Sequence, residues 1–283
     1  MNIDKVGVIG AGTMGHGIAQ VCATAGIDVV MVDIAEAAMM RGLASISGSL
    51  DRLVRKDKMT ADEKARALGR VRGTTSYDDL RDVGMIIEAA TENQELKVKL
   101  LKQVDEIASR DSVLASNTSS ISITRLAAAT SRPRRFVGLH FFNPVPMMAL
   151  VEVIRGLDTD EDVVDASVAL ARRLGKTPIV VKNSPGFVVN RLLCPMINEA
   201  VFALQEGLAS AEDIDAGMKL GCNHPIGPLA LGDMIGLDVV LAVMDVFYRD
   251  FNDPKYRPAP LLKEMVAAGR LGRKSKQGFY KYD

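Results

Sequence analysis

The sequence predicts an α/β protein: a mostly parallel sheet covered by helices on both faces, followed by a smaller all-helical domain. Three observations predict this. Through the first two-thirds of the chain, short apolar runs alternate with amphipathic helical patterns. After Val181 the strand signal stops and only helical patterns remain. A glycine-rich turn joins the first apolar run to the first helical pattern.

Taken in order, the strand-like runs are Lys5–Ile9, Asp28–Val32, Gly84–Ala89, Ser112–Ala115, Phe136–Phe141, Leu150–Ile154 and Pro178–Val181. Such near-continuous apolar runs suit strands buried on both faces. The helical patterns between them are Thr13–Ala25, Ala35–Lys58, Ala61–Gly69, Gln94–Ser109 and Glu161–Leu174. Residues 35–69 carry two helical patterns where one crossover helix suffices, so this excursion can project from the sheet and wall a ligand site. Ser184-Pro185-Gly186 predicts a helix start, with Ser184 as N-cap and Pro185 at the first helical position. The later helices break at Gly207, at 221–228 and at 254–260. The predicted domains are therefore 1–184, with the excursion 35–69, and 185–283.

Composition sets broad limits. The chain has 283 residues, 48% hydrophobic and 25% charged, which is enough apolar surface for a real core. With 35 Lys+Arg against 35 Asp+Glu, a general affinity for nucleic acid or an anionic membrane is not expected, though a small basic patch for a phosphorylated ligand stays open. Cys22, Cys194 and Cys222 are far apart, an odd set that predicts reduced thiols and a cytoplasmic setting. No apolar run reaches the roughly 18 residues of a membrane span. The chain enters a strand almost at once, so no leader peptide is expected. No metal site is expected either.

Gly10-Ala11-Gly12-Thr13-Met14-Gly15 is a complete G-x-G-x-x-G set between a strand and a helix. In this context it is the dinucleotide fingerprint of a Rossmann unit. Gly10 makes the turn, Gly12 admits the pyrophosphate, and Gly15 lets helix and strand pack closely. Thr13 and Met14 open a helix whose N-terminus faces the phosphates. Asp33 closes the second strand, 18 residues after Gly15. A carboxylate there binds the adenosine ribose 2′-hydroxyl and repels a 2′-phosphate, so NAD is favoured over NADP.

Ligands of open α/β sheets bind beyond the carboxyl ends of the strands. Two such ends carry groups suited to hydroxyl/carbonyl redox chemistry: Asn117-Thr118-Ser119-Ser120 and His140-Phe141-Phe142-Asn143-Pro144. Of the three histidines, His16 reads as a partly exposed helix residue and His224 as a loop residue. His140 sits at a strand end. If 136–141 and 150–154 form an antiparallel hairpin centred on Pro146, His140 and Glu152 face each other, six residues to either side. A carboxylate beside a histidine fixes which ring nitrogen carries the proton, as a general base requires. Ser49, Arg52 and Lys56 share one face of the 35–58 helix, flanked by Arg55 and Lys58. That face reads either as a solvated charged surface or as a phosphate-binding one.

The motifs GAGTMGHGIAQ (10–20), ASNTSS (115–120), GLHFFNP (138–144), NSPGFVVNR (183–191) and GRKSKQGFYKY (272–282) together resemble the 3-hydroxyacyl-CoA dehydrogenases, in particular the short bacterial 3-hydroxybutyryl-CoA dehydrogenases. The resemblance runs along essentially the whole chain. It implies His140 as the catalytic base and Glu152 as its orienting partner. It implies Ser119 as a hydroxyl bonded to the reacting oxygen and Asn190 as the group holding substrate against the base. Glu92, Lys97, Ser119, Asn143 and Lys274 match the family's NAD contacts, and Ser49, Lys56 and Ser119 its CoA contacts, which favours the phosphate-binding reading of Arg52 as well. Because Asn190 comes from the second domain, the resemblance also implies that the domains close over the substrate. A homodimer through the C-terminal helical domain is implied too. Two other readings stay open: a β-hydroxyacid dehydrogenase of a substrate without CoA, and a non-catalytic relative of the kind found among lens crystallins.

Overall fold

A computed structural model of the chain describes residues 3–283. It consists of two units, Met1–Ser184 and Pro185–Asp283. The first is built on one eight-stranded sheet in the order β3-β2-β1-β4-β5-β6-β7-β8. The strands are β1 (Lys5–Ile9), β2 (Asp28–Val32), β3 (Val71–Thr74), β4 (Met85–Glu88), β5 (Val113–Ser116), β6 (Phe136–Phe141), β7 (Leu150–Arg155) and β8 (Thr177–Lys182). Neighbours are parallel except for β6 and β7, which pair antiparallel. The helices are α1 (Thr13–Thr24), α2 (Glu36–Val54), α3 (Ala61–Gly69), α4 (Gln94–Ile107), α5 (Ile123–Ala127) and α6 (Glu161–Arg173).

The central strands β4 and β5 are buried along their whole length, as apolar runs with helices on both faces must be. On α2, Met39, Gly42, Ile46 and Leu50 form the buried stripe, spaced three to four residues apart. Its neighbouring face, with Arg41, Ser45 and Arg52, is exposed. Helix α3 starts at a full capping box: the Glu63 N–H donates to Thr60 Oγ1 at 3.1 Å, and the Thr60 N–H donates back to Glu63 Oε2 at 2.7 Å.

The structure corrects three local expectations. Strand β3 has no counterpart among the predicted runs. Its sequence is Val-Arg-Gly-Thr, with one large apolar residue, and it joins the edge of the sheet through its backbone ladder to β2. Helix α2 stops at Val54 rather than Lys58, because Asp57 takes φ +53°, which a right-handed helix cannot contain. The first helix of the second unit does not start at Ser184. Residues 185–188 form turns, with φ +72° at Gly186 and +54° at Phe187, and the helix begins at Val189 with Val188 as its cap. Gly186 is required there: a Cβ would come within 2.4 Å of the Phe247 ring.

The second unit is helical: α7 (Val189–Gln205), α8 (Ala211–Gly221), α9 (Pro228–Ile235), α10 (Leu237–Phe251) and α11 (Pro260–Ala267). Ile197, Val201, Leu229, Leu237, Val240 and Phe247 fill its core. The C-terminal segment is pinned to it by Asp233, a buried carboxylate that accepts the N–H groups of Phe279 and Tyr280 and the Tyr282 hydroxyl at 2.9–3.0 Å. Among the described residues, no helix is long and apolar enough to cross a membrane.

Candidate active site

The glycine turn after β1 shows three separate constraints. Gly10 has φ +95°, and a Cβ on it would sit 2.8 Å from the Ala89 carbonyl oxygen. At Gly15 a Cβ would lie 1.7 Å from the Gly10 carbonyl oxygen, so only glycine lets α1 pack this closely. At Gly12 a Cβ would meet nothing within 4 Å. The protein itself therefore does not demand glycine there, whereas a ligand lying against the backbone would. Thr13 and Met14 begin α1, whose N-terminus has no side-chain cap. Its first N–H groups can therefore serve a phosphate. Asp33 follows β2 and is anchored by the N–H groups of Ala11 (2.9 Å) and Ala35 (3.1 Å). An uncapped helix start, an open glycine and an acid one strand away fit a dinucleotide.

The hairpin register is the one the spacing predicts: His140 pairs with Glu152, flanked by Leu139–Val153 and Phe141–Val151. The Glu152 carboxylate has no exposed surface and lies 2.6 Å from His140 Nδ1. Phe142 packs on the imidazole, with ring centroids 4.4 Å apart. Asn117, at the end of β5, accepts the Phe141 N–H at 2.9 Å and so ties the serine loop to the histidine strand.

Glu92 organises that serine loop. Its Oε1 accepts from Thr118 Oγ1 (2.5 Å), the Ser119 N–H (2.9 Å), Ser120 Oγ (3.0 Å) and the Ser120 N–H (3.2 Å), with Ser119 Oγ at 3.4 Å. Partial burial pushes the Glu92 carboxyl up, but the charge of Lys97 and the hydrogen bonds from Thr118, Ser119 and Ser120 outweigh it. The carboxyl is held below the usual glutamate range. Lys97 does not lie at an open surface: it is 1% exposed and bonds Glu88 Oε1 at 2.7 Å and the Ala90 carbonyl at 3.1 Å.

A cavity of about 890 Å³ opens between α1, α2 and the 143–147 turn. Ser49, Arg52, Lys56, Thr13, His16 and Asn143 line it. Lys56 reaches it from the turn just beyond α2. Lys176 braces the opposite side, where its buried ammonium donates to the carbonyls of Val145 (2.6 Å) and Met148 (2.8 Å). In the second unit, Asn190 lies in the first turn of α7, and Lys274 is ion-paired with Asp238 at 2.5 Å.

Residues 5–184 match the sequence profile of the 3-hydroxyacyl-CoA dehydrogenase NAD-binding domain, and residues 186–282 that of the C-terminal domain of the same enzymes. The chain belongs to the 3-hydroxyacyl-CoA dehydrogenase family. It is thus an NAD-dependent dehydrogenase. A 3-hydroxybutyryl-CoA dehydrogenase of Bradyrhizobium diazoefficiens is 51% identical over 99% of this chain and 96% of its own length. One from Clostridioides difficile is 52% identical over 99% of each. Among solved structures, an (S)-3-hydroxybutyryl-CoA dehydrogenase of Ralstonia eutropha superposes with a TM-score of 0.98, at 65% identity and covering 100% of both chains.

Neither Glu88 nor Asn117 carries a role in the sequence motifs. The signal for Glu88 was present: an acid closing the otherwise apolar run Met85-Ile86-Ile87. Lys176 had no such signal, since its partners are backbone carbonyls.

Proposed function

We propose that this dehydrogenase interconverts (3S)-3-hydroxybutyryl-CoA and acetoacetyl-CoA, with His140 as the acid/base group. The observation that carries the reading is the 2.6 Å contact between His140 Nδ1 and the fully buried Glu152. With Nδ1 committed to the carboxylate, Nε2 is the nitrogen that exchanges a proton with substrate. The names of the relatives support the substrate. The cavity beside α2, with Arg52 and Lys56 at its wall, suits the phosphates of CoA.

Gly10, Gly12, Thr13, Met14 and Gly15 hold the pyrophosphate, and Asp33 the adenosine ribose. Glu92, Asn143 and Lys274 are further cofactor contacts. Bound NAD supplies the hydride acceptor in one direction and the donor in the other. During oxidation, His140 Nε2 takes the 3-hydroxyl proton as C3 loses hydride, and Glu152 stabilises the imidazolium that forms. During reduction the same nitrogen returns the proton to the 3-keto oxygen. Ser119 donates to the reacting oxygen, and Asn190 holds the substrate.

Burial pushes the thiols of Cys22 and Cys194 up to about 12, so they are inert core groups consistent with a cytoplasmic protein. Leu192, Leu208 and Leu220 are 69–87% exposed on the helical unit, and we assign this unit to a homodimer, which sedimentation velocity would read. Specificity constants for C4 to C16 3-oxoacyl-CoAs, with NADH and with NADPH, test the main reading. It predicts a C4 maximum with NADH. A maximum at long chains, or equal use of NADPH, would overturn it.

A further inference from the structure

We infer that Glu88 is a positioning residue for the serine of the proposed reaction, acting through Lys97 and Glu92. The inference rests on the reading of Ser119 given above.

Glu88 ends β4, paired in register with Ser116 at the end of β5. Its carboxylate is fully buried and accepts from Ser116 Oγ (2.6 Å), the Ala90 N–H (2.7 Å) and Lys97 Nζ (2.7 Å). A lysine ammonium has three donors. Those of Lys97 have three acceptors around them: Glu88 Oε1, the Ala90 carbonyl, and Glu92 Oε2 at 3.4 Å. The ammonium is therefore held from the buried side by Glu88 and faces Glu92 on the other. Through its second oxygen, Glu92 collects donors from the three consecutive residues 118–120.

A carboxylate, an ammonium and a second carboxylate thus run from the strand end to the serine loop. Burying Glu88 and Lys97 is costly, and an apolar pair of similar volume commonly serves stability as well or better. What an apolar pair cannot do is fix the position of Glu92. Lys97 Nζ has its three acceptors at 2.7–3.4 Å, so its effect on the serine loop passes through Glu92.

The test compares Glu88→Gln, Ser119→Ala and the double variant in the full-length enzyme. It measures kcat and KM for acetoacetyl-CoA, NADH binding by fluorescence, and thermal unfolding. Glu88→Gln should lower kcat by about tenfold, the scale of one lost charge-assisted hydrogen bond. NADH affinity should weaken too, because Glu92 is also a proposed cofactor contact, so kcat is read at saturating NADH. Added to Ser119→Ala, the same change should alter kcat less than about twofold, because residues acting as one unit are not additive. A purely structural role would multiply in full on the serine variant, whatever the melting temperature does, since unpairing buried Lys97 lowers it in either case. Folded Glu88→Gln with normal kcat, or full multiplication, overturns the proposal. If Glu88→Gln does not fold, the charge-neutral Glu88→Gln/Lys97→Met pair is read in its place, and failure of both to fold assigns the trio to stability and overturns the proposal. Normal turnover by Ser119→Ala alone refutes the serine's role itself, a different outcome from normal turnover by Glu88→Gln.

Discussion

Glu152→Gln removes a charge and keeps the shape of the side chain. The carboxylate it replaces is fully buried, 2.6 Å from His140 Nδ1, in a strand pair that holds both backbones in register. Hydrogen bonds to charged groups contribute about 1.5–3 kcal/mol, against about 1 kcal/mol for neutral ones. The difference, about 0.5–2 kcal/mol, falls on the step in which the imidazolium forms. At about 1.36 kcal/mol per tenfold, kcat should drop about 2- to 30-fold. The glutamine amide can also turn its NH₂ toward Nδ1 and favour the wrong tautomer, which adds to the loss. NADH formation from saturating (3S)-3-hydroxybutyryl-CoA and NAD, the direction in which the imidazolium forms, measures kcat, and NADH fluorescence checks that the cofactor still binds. A folded variant with kcat no lower than the parent's would refute the reasoning.

Three further outcomes follow from the same geometry. Gly12→Ala should fold with an unchanged melting temperature yet bind NADH at least about tenfold more weakly, whereas Gly15→Ala should destabilise the fold, because its methyl meets the Gly10 carbonyl at 1.7 Å. Lys56→Ala should raise KM for acetoacetyl-CoA by about tenfold and leave KM for acetoacetyl-pantetheine, which lacks the nucleotide phosphates, unchanged. Because the Glu92 carboxyl is held below its usual range, it contributes stability that is present at neutral pH and lost as pH falls through its lowered value. Glu92→Gln should therefore be less stable than the parent at neutral pH, with the gap closing in acid, as denaturant melts across pH would show.

Several features were legible because they depend on local pattern alone. Gly10, Gly12 and Gly15 announced the cofactor turn through their spacing. The His140–Glu152 pairing followed from symmetry about Pro146, since a hairpin register is set by its turn. Other features depend on partners far away in sequence. Strand β3 is held by the ladder to β2 and needs no apolar run of its own. The start of α7 is displaced because Gly186 and Phe187 adopt positive φ where the chain passes Phe247, 61 residues further on than Gly186. Lys97 looks like a surface lysine on an amphipathic helix, and only its contact with Glu88 shows that it is buried. The cavity wall at Arg52 and Lys56 could equally be a solvated face until the 143–147 turn is seen opposite it.

The central claim is that His140 carries the proton in a 3-hydroxyacyl-CoA redox reaction. Turnover of acetoacetyl-CoA by His140→Gln at saturating NADH, with NADH binding measured on the same sample, tests it most directly. The account predicts near-normal NADH affinity and a kcat reduced by about 10²–10⁴-fold, the usual contribution of a positioned acid/base group. Near-normal turnover by a folded, NADH-binding His140→Gln enzyme would contradict it.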